Sequence, residues 1–222
     1  MDSAGNGGKA AMARGRFITI EGGEGAGKST QIKLLAAWLQ ERGISVLATR
    51  EPGGSPGAEA IRALLVEGDA GKWDGLTEAL LHFAARRDHL VRTVWPALDR
   101  GDWVISDRFA DSTKAYQGYG HGLDSQFIDR LYEMVVGAFK PDLTVILDLP
   151  VETGLERAAR RAGQETRYES MDLDFHRRLR QGFLDIARAD PARCAVIDAQ
   201  GTTEAVQIAI RMAMIQRVKA PA

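Results

Sequence analysis

Only one cysteine, Cys194, occurs in the 222 residues, which excludes a disulfide within the chain. The four histidines, His82, His89, His121 and His176, stand at no metal-ligand spacing to it, so a zinc-type cage is not expected. This thiol usage fits a reducing, cytoplasmic setting. An excess of one charge is also missing: 29 Lys and Arg face 30 Asp and Glu, a net charge of -1. Without a global basic field, neither nucleic acid nor an acidic membrane is an expected partner, and any anion site must be local. No run reaches the roughly 18 uninterrupted apolar residues of a membrane span. The opening MDSAGNGGKAAMARG has no apolar signal core either. Met1 to Gly15 therefore reads as a flexible extension, and residues 16–222 as one domain.

What the chain does contain is an alternation of short β-branched runs with longer helical patterns. Strands are expected at Phe17–Glu21, Ser45–Arg50, Trp103–Ser106, Thr144–Leu149 and Cys194–Asp198. Helices are expected at Lys28–Arg42, Ala58–Val66, Leu76–Asp99, Ser125–Ala138, on both sides of Gly163, and from Thr203 to about Gln216. Strands joined by helices of this length give an α/β fold, a five-stranded parallel sheet with helices on both faces. Ligands in such folds bind at the carboxyl ends of the strands.

Immediately after the first strand, Gly22, Gly23, Glu24, Gly25, Ala26, Gly27, Lys28 and Ser29 match GxxxxGK[ST], with Thr30 following. Glycines let the backbone aim successive N–H groups at a phosphate, and the helix that starts there adds its positive end. Lys28 is placed to reach the β- and γ-phosphates of ATP, and the Ser29 hydroxyl to ligate Mg²⁺. The fold is thereby narrowed to the P-loop NTPase type, a three-layer arrangement. A guanine-reading NKxD is absent, and the only DxxG-like stretch, Asp198 to Gly201, follows the last strand, which disfavours a GTPase. Arginines instead close the strands: Arg50, Arg108, and after the fourth strand Arg157, Arg160, Arg161 and Arg167. Several guanidinium forks around one cleft suit the transfer of a phosphoryl group between two phosphorylated molecules.

REPGG at Arg50–Gly54, DRF at Asp107–Phe109 and DSTKAYQG at Asp111–Gly118 complete a pattern that resembles the bacterial thymidylate kinase family. The likeness runs from about Arg16 to Val218. It implies ATP-dependent conversion of dTMP to dTDP, with Mg²⁺, in a homodimer. It further implies that Phe83 stacks on thymine and that Arg87, one turn later, bonds the base. Arg50 and Arg108 would hold the dTMP phosphate, in a loop shaped by Glu51 and Pro52. Thr113 and Gln117 fall where the family reads the pyrimidine, Tyr116 lies by the sugar, and Glu24 approaches the 3′-hydroxyl. Residues 157–170 correspond to the lid, with Arg167 the first and Arg161 the second candidate to neutralise the transferring group, and Arg157 on the adenine side. Asp107 joins Ser29 at the metal. Arg86, His89 and Lys114 depart from the usual residues around the base. Rival readings are a P-loop kinase with another acceptor and a nucleotide-dependent switch; an acceptor panel separates them.

Overall fold

The computed structural model describes residues 14–69, 71–160 and 167–221. The chain runs β1 (Phe17–Gly22), α1 (Lys28–Gln40), β2 (Val46–Arg50), α2 (Pro56–Val66), α3 (Gly75–His89), α4 (Trp95–Asp99), β3 (Trp103–Asp107) and α5 (Ala110–Thr113). It continues with α6 (Ser125–Val135), β4 (Leu143–Asp148), α7 (Val151–Ala159), α8 (Leu173–Ala189), β5 (Cys194–Asp198) and α9 (Thr203–Val218). The five strands form one parallel sheet in the order β2-β3-β1-β4-β5. β1 lies at the centre, and its six residues are all buried.

Alternation along the strands divides the core in two. Ile18 and Ile20 of β1 join Val145 and Leu147 of β4 under Leu35 and Leu39 of α1 and Ile210 and Met214 of α9. Phe17, Val104 and Phe109 point the other way, into Phe83, Leu90 and Leu98. Ile146 also faces that side, where Phe175, Leu179 and Phe183 of α8 cover it. Period-two alternation is what a sheet covered on both faces requires.

Three expectations change in detail. The helix expected over Leu76–Asp99 is continuous, but Leu90–Val94 widens to a π turn in which the Trp95 N–H donates to Leu90 O. Pro96 follows at once, and a proline ring would clash with the carbonyl four residues back, so the wider turn makes room for it. Asp74 starts this helix by accepting from the Leu76 and Thr77 N–H groups. Second, the DSTKAYQG stretch is helical, α5 followed by a π turn over Lys114–Gly120. Third, Gly15, placed by its sequence in the flexible extension, is buried and donates to Leu98 O. Gly15 is thus packed against the rest of the chain; residues 1–13 lie outside the described residues.

Candidate active site

The loop after β1 is shaped by its glycines. Gly25 has φ +67°, and a Cβ there would lie 2.0 Å from Gly154 O, so only glycine permits the loop to rest on α7. Gly27, at φ +90°, turns the chain into α1, whose N-terminus opens at the loop. Lys28 folds back over it, donating to Gly22 O and Gly23 O at 3.2 and 2.9 Å. Burial and the neighbouring Arg108 cation push the Lys28 ammonium down to about 8, against the pull of Glu24 and Asp107. Ser29 Oγ donates to Asp107 Oδ2 at 3.1 Å, which sets a hydroxyl and a carboxylate side by side at the ends of α1 and β3.

Arg108 takes the left-handed conformation, φ +69°, uncommon for a residue with a side chain. Its N–H is fixed to Ile20 O at 3.0 Å. The guanidinium reaches Gly22 O, Ser112 Oγ and, at 3.1 Å, Glu24 Oε1. Tyr116 donates to the same Glu24 oxygen at 2.5 Å, with Arg108 stacked 4.9 Å from its ring centre. Burial would raise the Glu24 carboxyl, but Arg108 and Lys28, with the Tyr116 hydroxyl, outweigh it and hold it at about 2.

From this loop a cavity of about 730 Å³ extends between α2, α3 and the α5 segment. Arg50, Glu51, Pro52, Arg108, Thr113, Tyr116 and Gln117 line it together with His82, Arg86, Arg167 and Tyr168. Arg86 crosses the wall, donating through Nε to Glu51 Oε2 at 2.8 Å and through Nη2 to Thr113 Oγ1 at 3.1 Å. His89 holds the other Glu51 oxygen at 3.0 Å and contacts Thr49 Oγ1 at 2.8 Å. Deeper in, Glu78 gathers Gln117 Nε2 at 2.9 Å, the Tyr168 hydroxyl at 3.3 Å, His121 at 3.4 Å and the Arg167 guanidinium. Burial opposes ionisation of Glu78, yet these donors hold it at about 2. His82, its Nε2 3.2 Å from Tyr168 Oη, is pushed down to about 3 by burial and by Arg86, so its ring is neutral. Two polar atoms in this wall, Arg86 Nη1 and Gln117 Oε1, are buried without a partner among the described residues.

The family model described as thymidylate kinase matches residues 20–210. The chain belongs to the thymidylate kinase family. The thymidylate kinase of Caulobacter vibrioides is 56% identical over 207 residues, covering 93% of this chain and 99% of the relative. That of Rhodopseudomonas palustris TIE-1 is 55% identical over 213 residues, 94% of this chain and 92% of the relative. A crystal structure of the Ehrlichia chaffeensis thymidylate kinase superposes with a TM-score of 0.75 at 38% identity, covering 90% of this chain and 99% of that one.

Within the thymidylate kinase frame, most residues expected at the site come together, and some do not. Phe83 is packed in the core and Arg87 sits on the far side of α3, donating to Val135 O and lying 5.0 Å from the Trp95 ring centre. The face of α3 that lines the cavity carries His82 and Arg86, one position earlier. A helix turns about 100° per residue, so a register error of one replaces wall by core. Arg167, expected over the transferring phosphoryl group, is fully buried beside Glu78 and also donates to Leu65 O and Asp69 O at 3.0 and 2.9 Å. Arg161 lies outside the described residues. Arg157 reaches Ala199 O at 3.2 Å, in the loop after β5. Thr30 is exposed and off the cavity wall, while Gly22 and Gly23 face a smaller pocket under the loop. Sequence reasoning missed Glu78, His82, Arg86 and Arg62, whose Nη1 donates to Pro52 O at 2.6 Å. Glu78, His82 and Arg86 recur every four residues, a polar row beside the apolar one of Ala79 and Phe83, and that was the available signal.

Proposed function

We propose that the chain transfers the γ-phosphoryl group of ATP to dTMP, giving ADP and dTDP, with ATP over the β1–α1 loop and dTMP in the 730 Å³ cavity. The observation that carries the acceptor assignment is the pair of orphaned atoms in its wall, a donor on Arg86 and an acceptor on Gln117. A buried polar group without a partner is costly, and a ligand that completes it gains accordingly. Thymine presents that complement, a carbonyl O4 beside N3–H. The base would then lie against His82 and Arg86, where the resemblance had placed it on Phe83 and Arg87.

Arg50 and Arg108 line the stretch of wall between base and phosphate loop and suit the acceptor phosphate, as forks for its oxygens. Glu24, ionised and tied to Arg108 and Tyr116, offers acceptors for the sugar hydroxyl. Lys28 neutralises charge at the β- and γ-phosphates, and aligned substrates leave little covalent work for the protein. No general base is needed, because a phosphate monoester, with its second pKa near 6, is already largely dianionic at pH 7.

Ser29 and Asp107 fit Mg²⁺: both offer oxygen, and this ion takes one or two protein oxygens with substrate phosphates rather than a full cage. When bound, it would polarise the phosphates for transfer. Among the described residues no group of three or more His, Cys, Asp or Glu forms a cage, and no helix is long and apolar enough to cross a membrane. Homodimer pairing fits the outer stripe of α3 and its extension, where Leu76, Leu80 and Val91 are exposed. Sedimentation of wild type against Leu80→Glu tests it, a dimer converting to monomer.

With Mg-ATP, the protein should phosphorylate dTMP in clear preference to dUMP, UMP, CMP and AMP. A preference for any of the others would move the acceptor while leaving the kinase chemistry standing.

A further inference from the structure

We infer that Glu78 is a specificity-determining positioning residue, which acts by fixing the orientation of the Gln117 amide. The inference rests on the acceptor reading above and adds to it a reason why the cavity takes one pyrimidine and refuses another.

A glutamine amide has a donor end and an acceptor end of nearly equal shape, so a lone glutamine in a wall reads either a donor or an acceptor on its ligand. Selectivity requires that one orientation be locked. Gln117 is fully buried, and its Nε2 donates to Glu78 Oε2 at 2.9 Å. Glu78 is itself fully buried and held ionised by the donors around it, His121 and Gln117 first and the Arg167 guanidinium with them. An ionised carboxylate only accepts, so turning the amide over would set its oxygen against a buried anion. The nitrogen is thus committed, and the atom left for a ligand is Oε1, which has no partner among the described residues.

A fixed acceptor at this place favours a base with N–H at its middle edge position. Thymine has N3–H there; cytosine has a lone pair at the same nitrogen, and two facing lone pairs repel. Arg86 reads the neighbouring ring substituent and bonds Glu51 and Thr113, not Glu78, so the two selections are separable.

The test is kcat/KM for dTMP and dCMP in wild type, Glu78→Gln, Gln117→Ala and the double variant. Releasing the amide should cut the dTMP to dCMP preference about tenfold in Glu78→Gln, mainly through KM, because a site built to bond a ligand rejects mismatches through its unpaired groups. In the Gln117→Ala background the same change should move the preference by less than about twofold, the non-additivity of residues acting through each other. An unchanged preference in an active Glu78→Gln protein overturns the inference, and so does an equal fall with residue 117 already alanine. If Glu78→Gln, with no carboxylate left opposite the Arg167 charge, does not fold, Glu78→Gln/Arg167→Met removes both charges and answers the same question. Wild-type protein that phosphorylates no dTMP would instead sink the acceptor reading itself, and this inference with it.

Discussion

The donor end and the acceptor end of the cleft are built in opposite ways. At the end proposed for the donor, eight contiguous residues, Gly22 to Ser29, form one loop, and Asp107 joins it from β3 through Ser29. The end proposed for the acceptor is assembled from distant stretches, around Arg50, Arg62, His82, Arg108 and Arg167, and is held mainly through side chains. Its two buried carboxylates, Glu51 and Glu78, each tie an arginine into the wall. A backbone cradle tolerates any nucleotide that brings phosphates. A side-chain wall specifies which base enters, and it is also where substitution disturbs packing as much as binding.

The sharpest break between the two ends should come from Lys28→Ala, which should lower kcat by about 10² to 10³-fold while the KM for dTMP stays within about threefold. Steady-state kinetics with dTMP varied at saturating ATP measures both. Arg86→Ala should act in the other direction, raising the KM for dTMP about tenfold with a smaller change in kcat. It should also lower stability by about 3 kcal/mol in urea titration, because Glu51, a buried partner, loses its cation. Should Lys28→Ala mainly change KM for dTMP, or Arg86→Ala mainly kcat, the division of labour is wrong.

Arg167 tests where the boundary between the two ends runs. Held by Glu78 and two carbonyls, it belongs to the acceptor wall. Arg167→Ala should therefore lower the thermal midpoint and reduce kcat by less than about tenfold. An arginine that stabilises a transferring phosphoryl group is worth about 10³ to 10⁵ in rate, and a loss of that size would show that Arg167 leaves Glu78 during turnover.

The same contrast explains what the sequence made legible. Apolar runs bounded by glycine and helical pattern identify all five strands and the parallel sheet, and the GxxxxGK[ST] spacing identifies the β1–α1 loop, because both signals are local. Choosing Phe83 and Arg87 over His82 and Arg86 depends on which way a helix faces in the finished fold. Here an apolar row, Ala79, Phe83 and Leu90, runs beside the polar one and hides it. The Arg167 partner lies 89 residues away, at Glu78, and nothing local in TRYE signals that the guanidinium will be buried. The π turn over Lys114–Gly120 that presents Gln117 also has no propensity signature.

Glu21 stands where the two ends meet, and it should give the smallest effect. This last residue but one of β1 is fully buried and accepts from the Phe109 N–H at 2.7 Å and the Ser112 hydroxyl at 2.5 Å. Burial, with the nearby Asp111 charge, raises its carboxyl from the ordinary 4.5 to about 8. The folded protein therefore keeps a proton that the unfolded chain releases between those values. Stability from this group is complete below the unfolded pKa and is lost as pH rises through the folded one. Glu21→Gln, which cannot ionise, removes that slope. Against wild type, its thermal midpoint should gain several degrees between pH 6 and pH 9, at about 2 to 4 °C per kcal/mol for a chain of this size. Activity at pH 7 should change little, since the amide oxygen still accepts from Phe109. Parallel melting curves at both pH values would show instead that Glu21 is ionised throughout, and that Arg108 compensates it as it does Glu24.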